Sequence, residues 1–303
     1  GQAGFECKPG NVTNLAEAAS ASAFLDRRAN LCKGKGIGKN MAIFTTLYSG
    51  SSGNCAVVKT NEKGYLLIDM GKSCRITLNA LKEMDLSVRD CQGILVTHEH
   101  SDHVKGLDTF LKHYNVPVFS GADTLDTLQS RGTIPPMVES VAIQGRTEEI
   151  AGLRVTAFPT SHDVPCVGFR IEEAGGGTMA YASDLGTLTP AVHENLSGCD
   201  LVALEANYDL QRLRYGPYPG YLKVRIESRR GHLDNRECAA KVAELAAAGC
   251  QKFSLLHLSQ ENNAPELALE AVADAFRATG FTPAPALTVQ AQERNAVSRA
   301  MEF

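Results

Sequence analysis

Three features that would assign the chain to a common class of protein are missing from its sequence. No apolar run approaches the roughly 18 residues that a membrane helix needs, and no signal-peptide core is present. The nine cysteines are odd in number, scattered along the chain and never spaced as Cys-x-x-Cys pairs, which favours reduced thiols over a disulfide framework. We therefore expect a cytoplasmic protein that does not contact membranes.

An excess of positive charge is also missing. The chain has 30 Lys and Arg against 34 Asp and Glu, which gives a net charge of −4. A site for a polyanion therefore has to be a local patch rather than the whole surface. The length of 303 residues allows one large domain or two small ones, and the 44% of hydrophobic residues is ordinary for a globular protein.

The most informative stretch of the sequence is Ile94–His103. Its apolar start predicts a short buried strand, which opens at Thr97 into a segment with four ligand-type side chains within six positions, namely His98, His100, Asp102 and His103. Imidazole and carboxylate groups suit Zn²⁺, Mn²⁺ or Fe. Residues two apart in an extended segment point the same way, so the first two histidines can bind one ion and the last two residues a second.

This spacing is the His-x-His-x-Asp-His signature, and here the chain resembles the metallo-β-lactamase superfamily. Relatives that reduce oxygen at a di-iron site carry glutamate at the second histidine position. Because that position is His100 in this sequence, hydrolysis is favoured over redox chemistry. The resemblance also implies that Asp69, at the end of a buried strand, supports the site without being one of the metal ligands.

Three further ligand-type residues each follow an apolar strand: His162, Asp184 and His257. Taken singly, each could be an ordinary turn or cap residue, but together they have the superfamily's order. The resemblance implies two divalent ions per chain, Zn²⁺ or Mn²⁺, with Asp184 between them. The first ion is assigned to His98, His100 and His162, and the second to Asp102, His103 and His257. Two such ions can share a hydroxide that attacks the substrate.

Strand and helix patterns occur throughout the sequence from residue 41 onward. They predict an α+β fold, an αββα sandwich of two packed mixed sheets with helices on both outer faces. The clearest segments are strands Ile43–Tyr48 and Leu201–Glu205 and helices Asn235–Ala248 and Pro265–Thr279. Residues 41–303 are therefore predicted to be the hydrolase domain. Residues 1–40 are predicted to be an N-terminal extension, mobile or artificial in origin, although Asn14–Arg28 could form a capped helix.

A basic and aromatic segment follows strand Leu201–Glu205. Between positions 212 and 230 six basic residues stand against one acid, Glu227, and half of the eight tyrosines lie in or beside this stretch. Basic groups hold phosphates and aromatic faces stack on unpaired bases, although a solvated loop with core tyrosines would look similar. The Gly/Ser loop 49–54 is either a hairpin turn or a phosphate pocket. The predicted substrate contacts are Asn54, Tyr208, Arg212, Arg214, Tyr215, Lys223 and Arg225.

Several motifs in the second half of the chain point to one family within the superfamily. They read Glu205-Ala-Asn-Tyr-Asp209, Gly231-His-Leu-Asp-Asn235 and His257-Leu-Ser-Gln-Glu-Asn-Asn263. From Met41 onward the chain resembles the YycJ/WalJ family of nucleases, which implies 5′→3′ exonuclease action on DNA. Asp234 departs from the family's usual serine and Gly220 from its usual aromatic residue. Of these, Gly220 could alter the contacts with substrate.

The related tRNA-maturing ribonucleases place a glutamate after a strand and a histidine in a Gly-His turn near the leaving oxygen. Glu205 and His232 match those two positions, so the histidine is predicted to protonate the leaving group while the carboxylate orients it. A helix cap is the simpler alternative for His232. The predicted catalytic residues are Asp102, Glu205 and His232.

The sequence therefore predicts a dinuclear metal-dependent phosphodiesterase that acts on nucleic acid, and DNA is the favoured substrate. Three alternatives stay open. The protein could be a hydrolase of the same fold that acts on a small cyclic phosphodiester or a thioester. It could also be an RNA nuclease, or a nucleic-acid-binding protein without catalytic activity.

Overall fold

Two sheets of seven strands form the centre of the computed structural model, which describes residues 41–60 and 64–303. The first sheet contains β1 (Ile43–Tyr48), β2 (Cys55–Lys59), β3 (Tyr65–Ile68), β4 (Cys91–Leu95), β5 (Val118–Ser120), β6 (Ser140–Ala142) and β14 (Met301–Glu302). The strand order is β14-β1-β2-β3-β4-β5-β6. Pairing is antiparallel from β14 to β3 and parallel from β3 to β6.

The second sheet repeats this plan. It contains β7 (Thr147–Ile150), β8 (Leu153–Thr160), β9 (Cys166–Glu173), β10 (Thr178–Ala182), β11 (Leu201–Glu205), β12 (Lys252–Leu256) and β13 (Thr288–Ala291). The strand order is β13-β12-β11-β10-β9-β8-β7, with pairing antiparallel from β7 to β10 and parallel from β10 to β13. Each sheet thus has one antiparallel and one parallel half.

Helices cover the outer faces of both sheets. Four of them accompany the first sheet: α1 (Cys74–Glu83), α2 (Ser101–Val104), α3 (Leu107–His113) and α4 (Ala122–Ser130). Five lie in the second half of the chain: α5 (Pro190–Leu196), α6 (Leu210–Tyr215), α7 (Gly220–Ile226), α8 (Asn235–Ala247) and α9 (Pro265–Thr279). No helix in the described part of the chain is long and apolar enough to cross a membrane.

Three apolar layers hold these elements together. The central layer lies between the sheets and contains Phe44, Leu66, Val155 and Phe169. One outer layer joins α1, α3 and α4 to the first sheet, and the other joins α5, α8 and α9 to the second. Burial of apolar surface stabilises a fold by roughly 25 cal/mol per Å², and here it does so in every layer. The predicted αββα sandwich is therefore confirmed.

The strands and helices with the clearest sequence patterns have the predicted bounds, and β1, β11 and α9 match residue for residue. The sequence did not predict β6, β7 and β14, because these strands are short and β7 and β14 are rich in acidic residues. It also did not predict α6 and α7, where it showed only a basic and aromatic segment. The extension 1–40 and its helix Asn14–Arg28 lie outside the described residues, so both stay predictions.

Asp234 caps α8, and we expect this cap to contribute measurably to stability. Its carboxylate accepts hydrogen bonds from the backbone N–H groups of Arg236 (2.7 Å) and Glu237 (2.8 Å). Replacing it in Asp234→Ala should lower the free energy of unfolding by about 0.5–2 kcal/mol. Since about 1 kcal/mol shifts the melting temperature of a domain this size by roughly 2–4 °C, thermal melts can detect the loss.

The control for this prediction is Asp234→Ser, because serine also caps helices well. It should retain most of the stability that alanine loses. Equal destabilisation by the two substitutions would contradict the capping role.

Candidate metal centre

Strand ends from both sheets converge on one cluster of histidines and carboxylates. The loop after β4 contributes the His98–His103 segment, and His162, Asp184 and His257 follow β8, β10 and β12. The parallel register of β11 and β12 pairs Glu205 with Leu256, which places Glu205 beside His257. The cluster therefore forms because sequence-distant residues stand at the same ends of neighbouring strands.

Four overlapping groups of potential ligands have their donor atoms within 4.8 Å of one another. They are His98 with His100 and His162; Asp102 with His103 and His257; His98 with His103 and Asp184; and Asp184 with Glu205, His232 and His257. The first two groups are the two ligand sets that the resemblance implied. All seven residues assigned as ligands lie in this cluster, together with Glu205 and His232.

Two of these ligand-type residues have an uncommon backbone conformation. Asp184 and His257 have positive φ angles of 55°, and Asp69, which contacts the cluster, has 61°. A positive φ is rare for residues other than glycine and is unfavourable, so it persists only where the surrounding structure enforces it. Such residues concentrate at functional sites.

Hydrogen bonds fix four of the five predicted histidine ligands through their Nδ1 atoms. Nδ1 of His103 lies 2.7 Å from the buried Asp69 carboxylate, and Nδ1 of His257 lies 2.8 Å from Glu205. The corresponding atom of His98 lies 3.0 Å from the Thr97 hydroxyl, and that of His162 lies 3.1 Å from the carbonyl of Gly231. Partners of this kind orient a ring so that its other nitrogen can bind a metal ion.

Glu205 holds two histidines at once. Its Oε1 lies 2.8 Å from Nδ1 of His232 and 2.8 Å from Nδ1 of His257. Its Oε2 accepts the backbone N–H groups of Leu185 (3.0 Å) and Leu233 (3.2 Å), so the buried carboxylate is itself rigidly placed. The sequence predicted the contact with His232 but not the contact with His257.

Unpaired atoms in the cluster fit a bound cation. Among the described residues, His98 Nε2, His257 Nε2 and Asp184 Oδ2 are buried without a hydrogen bond, and the last two have only ion-pair contacts, with Asp102 (3.4 Å) and His103 (3.1 Å). A buried polar atom without a partner costs about 1–3 kcal/mol. The predicted ligands are five imidazoles and two carboxylates, a donor set that suits Zn²⁺ or Mn²⁺. The residues present therefore fit divalent metal ions.

The pKa values of two histidines in the cluster shift in opposite directions. Burial, together with the neighbouring His103, lowers the pKa of His98 well below its usual value, so this imidazole is neutral and ready to bind a metal ion. Burial also lowers the pKa of His257, but Asp184, Asp102 and Glu205 outweigh it and raise that pKa to about 10. Burial opposes ionisation of Asp184 as well, yet His257 and His103 hold its pKa well below the usual range.

A cleft of about 250 Å³ opens onto this cluster. One part of its lining comes from α7 and the residues after it, including Leu222, Arg225 and Arg230, and another from Ser51 and Ser259. Arg230 and Ser51 lie in the predicted basic segment and in the Gly/Ser loop, but they were not among the predicted substrate contacts. Neither residue has a distinctive sequence pattern, because basic side chains and loop serines are common on any protein surface.

Two of the predicted substrate contacts need correction. Tyr208 is only 4% exposed and forms a β-bridge with Asp234, so its ring is not available to stack on a base. Asn54 is buried, its Oδ1 accepts the backbone N–H of Gly50, and its Nδ2 lies 3.2 Å from His103 Nε2. It therefore lies buried beside His103 and is not among the residues that line the cleft.

Several basic side chains of the segment make bonds within the protein. Arg214 pairs with Glu227 at 3.2 Å, and Lys223 donates to the carbonyls of Arg214 and Gly216 at 2.8 Å each. Arg212 donates to the carbonyl of Asn263 at 3.3 Å. These contacts join α6 and α7 to each other and to the domain, a structural role that the sequence did not reveal. Tyr215 is 86% exposed, and Arg225 lines the cleft.

The fold and the cluster at its strand ends define a member of the beta-lactamase superfamily, and the model of that superfamily's domain matches residues 65–257. Exodeoxyribonuclease YycJ of Bacillus anthracis is 34% identical over 239 residues, which are 78% of this chain and 90% of the relative. Exodeoxyribonuclease WalJ of Streptococcus pneumoniae serotype 2 is 30% identical over 228 residues, 74% and 84% of the two chains. The protein belongs to the YycJ/WalJ family.

A solved structure gives independent support for the fold. The metallo-beta-lactamase fold protein YhfI from Bacillus subtilis superposes with a TM-score of 0.64 over 87% of this chain and 100% of its own. Since the two sequences are only 17% identical, this similarity concerns the fold alone.

We expect His257 to make the stability of the metal-free protein depend on pH. Its pKa of about 10 in the folded chain lies above its ordinary value of 6.5. The stabilisation from its protonation is therefore fully present below about pH 6.5 and is lost as the pH rises through the folded value. Melting temperatures of chelator-treated protein between about pH 6.5 and 10 measure this loss.

The comparison for this prediction is between His257→Gln and His113→Asn. The first substitution should remove part of the pH dependence, whereas the second changes an exposed histidine on α3 and should leave it unchanged. The idea fails if both variants keep the pH profile of the unchanged protein.

Proposed function

We propose that the protein is a dinuclear metal-dependent phosphodiesterase, and specifically a 5′→3′ DNA exonuclease. The observation that carries this proposal is the meeting of two ligand groups and a histidine–carboxylate pair at one cleft. The relatives YycJ and WalJ, which bear the name exodeoxyribonuclease, support DNA as the substrate and an end as the point of attack.

The ligand roles follow the two groups. His98, His100 and His162 would hold one ion, Asp102, His103 and His257 the other, and Asp184 lies close to members of both groups. Two divalent ions, when bound, activate water at neutral pH and neutralise charge on the phosphodiester. The protein's own contribution is to hold these ligands rigidly, through Asp69 and Glu205, and to shape the cleft.

His232 is placed to act as the general acid. Its Nδ1 lies 2.8 Å from Glu205, and its side chain is 22% exposed where it lines the cleft. Burial lowers the pKa of His232, but the carboxylate of Glu205 outweighs this effect and raises it, which favours the protonated ring. As the P–O bond breaks, the ring gives its Nε2 proton to the departing oxygen, while Glu205 keeps the ring oriented.

Nucleic acid would approach from the side of α7. Tyr215 is available for stacking, and Arg225 lines the cleft, where it pairs with Asp163, whereas Arg212, Arg214 and Lys223 are engaged elsewhere within the protein. A small phosphodiester is the second candidate substrate, because so few of the predicted basic contacts are free and the cleft is only about 250 Å³.

The purified protein should convert 5′-labelled DNA into labelled short products from the first time points, and only with Mn²⁺ or Zn²⁺ present. The assay compares single- and double-stranded DNA, RNA of the same sequence and a chromogenic phosphodiester. A ladder of longer 5′-labelled fragments would refute cleavage that starts at the 5′ end. Faster degradation of RNA, or hydrolysis of the small ester alone, would assign the protein to one of the other hydrolase classes.

We expect about two metal ions per chain in protein purified without chelator, because seven ligand-type side chains exceed what one tetrahedral ion can use. Elemental analysis measures the ratio. Asp184→Ala should lower both metal content and activity on every substrate, whereas His113→Asn should change neither. A ratio that stays at one ion per chain in fully active protein would exclude the two-ion mechanism.

Loss of His232 should slow turnover and leave metal content intact. We expect His232→Ala to cost about 10²–10⁴-fold on DNA, the usual contribution of a general acid. The loss should be much smaller on a nitrophenyl ester, whose leaving group is acidic and needs no proton. Equal losses on both substrates, or loss of bound metal, would instead make His232 a structural residue or a ligand.

A further inference from the structure

Asp163 follows a predicted ligand directly, yet it belongs to neither proposed ligand set. Its Oδ1 lies 3.2 Å from Nε2 of His162 and 3.4 Å from Nε2 of His100. Within the described part of the chain this oxygen is buried and has no hydrogen-bond partner. The carboxylate therefore lies against a ring nitrogen of each of two predicted ligands of the first ion.

These distances match those between ligands of a common ion. Two atoms that each lie about 2.0–2.1 Å from a tetrahedral metal ion are about 3.3–3.4 Å apart. An oxygen that is buried without a partner is costly, and a cation between it and the two nitrogens would remove that cost. A carboxylate oxygen is also a common ligand of Zn²⁺ and Mn²⁺.

The other side of Asp163 faces α7. Its Oδ2 forms an ion pair with Nη2 of Arg225, which lines the cleft. Arg230 donates from Nη2 to the carbonyl of Asp163 and from Nε to the carbonyl of His162, each at 2.8 Å. One short stretch of chain thus links the histidine cluster to the helix that forms part of the cleft.

We propose that Asp163 is an additional ligand of the ion held by His98, His100 and His162, and that it connects this ion to Arg225. The inference rests on the proposed metal centre. When the ion binds, it fixes the carboxylate, and the carboxylate fixes Arg225 in the cleft. Ion binding and the ordering of α7 are then thermodynamically coupled. Ion binding favours the ordered helix, and the ordered helix raises the affinity for the ion by the same factor.

A purely structural role of Asp163 predicts a different result. If Asp163 served only as the ion-pair partner of Arg225, removing either residue would have the same effects, and neither removal would change metal binding. The two roles therefore separate in a comparison of Asp163→Ala with Arg225→Ala. Both variants lose the same ion pair, but only the first loses the proposed ligand.

The experiment titrates metal-free protein with Zn²⁺ against a chelating dye and follows hydrogen exchange of residues 217–231 with and without Zn²⁺. In the unchanged protein two ions should bind, and Zn²⁺ should slow exchange in α7. Asp163→Ala should bind one of the two ions at least about 10- to 100-fold more weakly, and Zn²⁺ should no longer slow the exchange. Arg225→Ala should lose the effect on exchange and weaken the binding of one ion only by the coupling to α7, much less than Asp163→Ala does.

The outcomes distinguish this inference from the proposed function. If the unchanged protein binds fewer than two ions, the proposed metal centre is wrong, and the inference falls with it. If it binds two ions and Asp163→Ala binds both as tightly as Arg225→Ala does, the metal centre stands and Asp163 is not a ligand. Melting of the metal-free variants checks folding. Should alanine at position 163 unfold the chain, Asp163→Asn keeps the shape, removes the charge and gives the same comparison.

Discussion

The structure depends on an arrangement in which histidine rings are bonded on one side and left unpaired on the other. Nδ1 of His98 contacts the Thr97 hydroxyl and Nδ1 of His257 contacts the buried Glu205 carboxylate, while Nε2 of both rings has no hydrogen-bond partner among the described residues. Unpaired buried nitrogens and left-handed residues such as Asp184 are each unfavourable by about 1–3 kcal/mol. Three apolar layers offset these costs and hold the strand ends in place.

Much of the candidate site could be predicted because its signals are local. The segment His98–His103 carries its ligands within six positions, and the other ligands each follow an apolar strand. The side-chain partners of the basic segment could not be predicted, because they come from distant parts of the chain. Asp163 and Arg225 are 62 residues apart in sequence, and no local sequence pattern predicts their ion pair.

Tyr208 shows why composition misleads in such a segment. A tyrosine near many arginines suggests an exposed stacking surface, but its direction is set by the β-bridge to Asp234, which points its ring into the protein. The same limitation applies to β14. Only two residues long, it pairs with β1, more than 250 residues earlier, and its position was set by the fold rather than by its own sequence.

The internal bonds of the basic segment bear on how the protein would hold DNA. Each phosphate that a protein neutralises releases counterions and strengthens binding, so a long basic groove favours internal sites on a long duplex. Here Arg214 and Lys223 are bonded within the protein, Arg225 is paired with Asp163, and the exposed Tyr215 at the end of α6 makes none of these internal bonds. Such a surface contacts few phosphates. With most of the binding energy then confined to the cleft, a strand end that fits into the cleft gains more than a continuous duplex that has to pass over it.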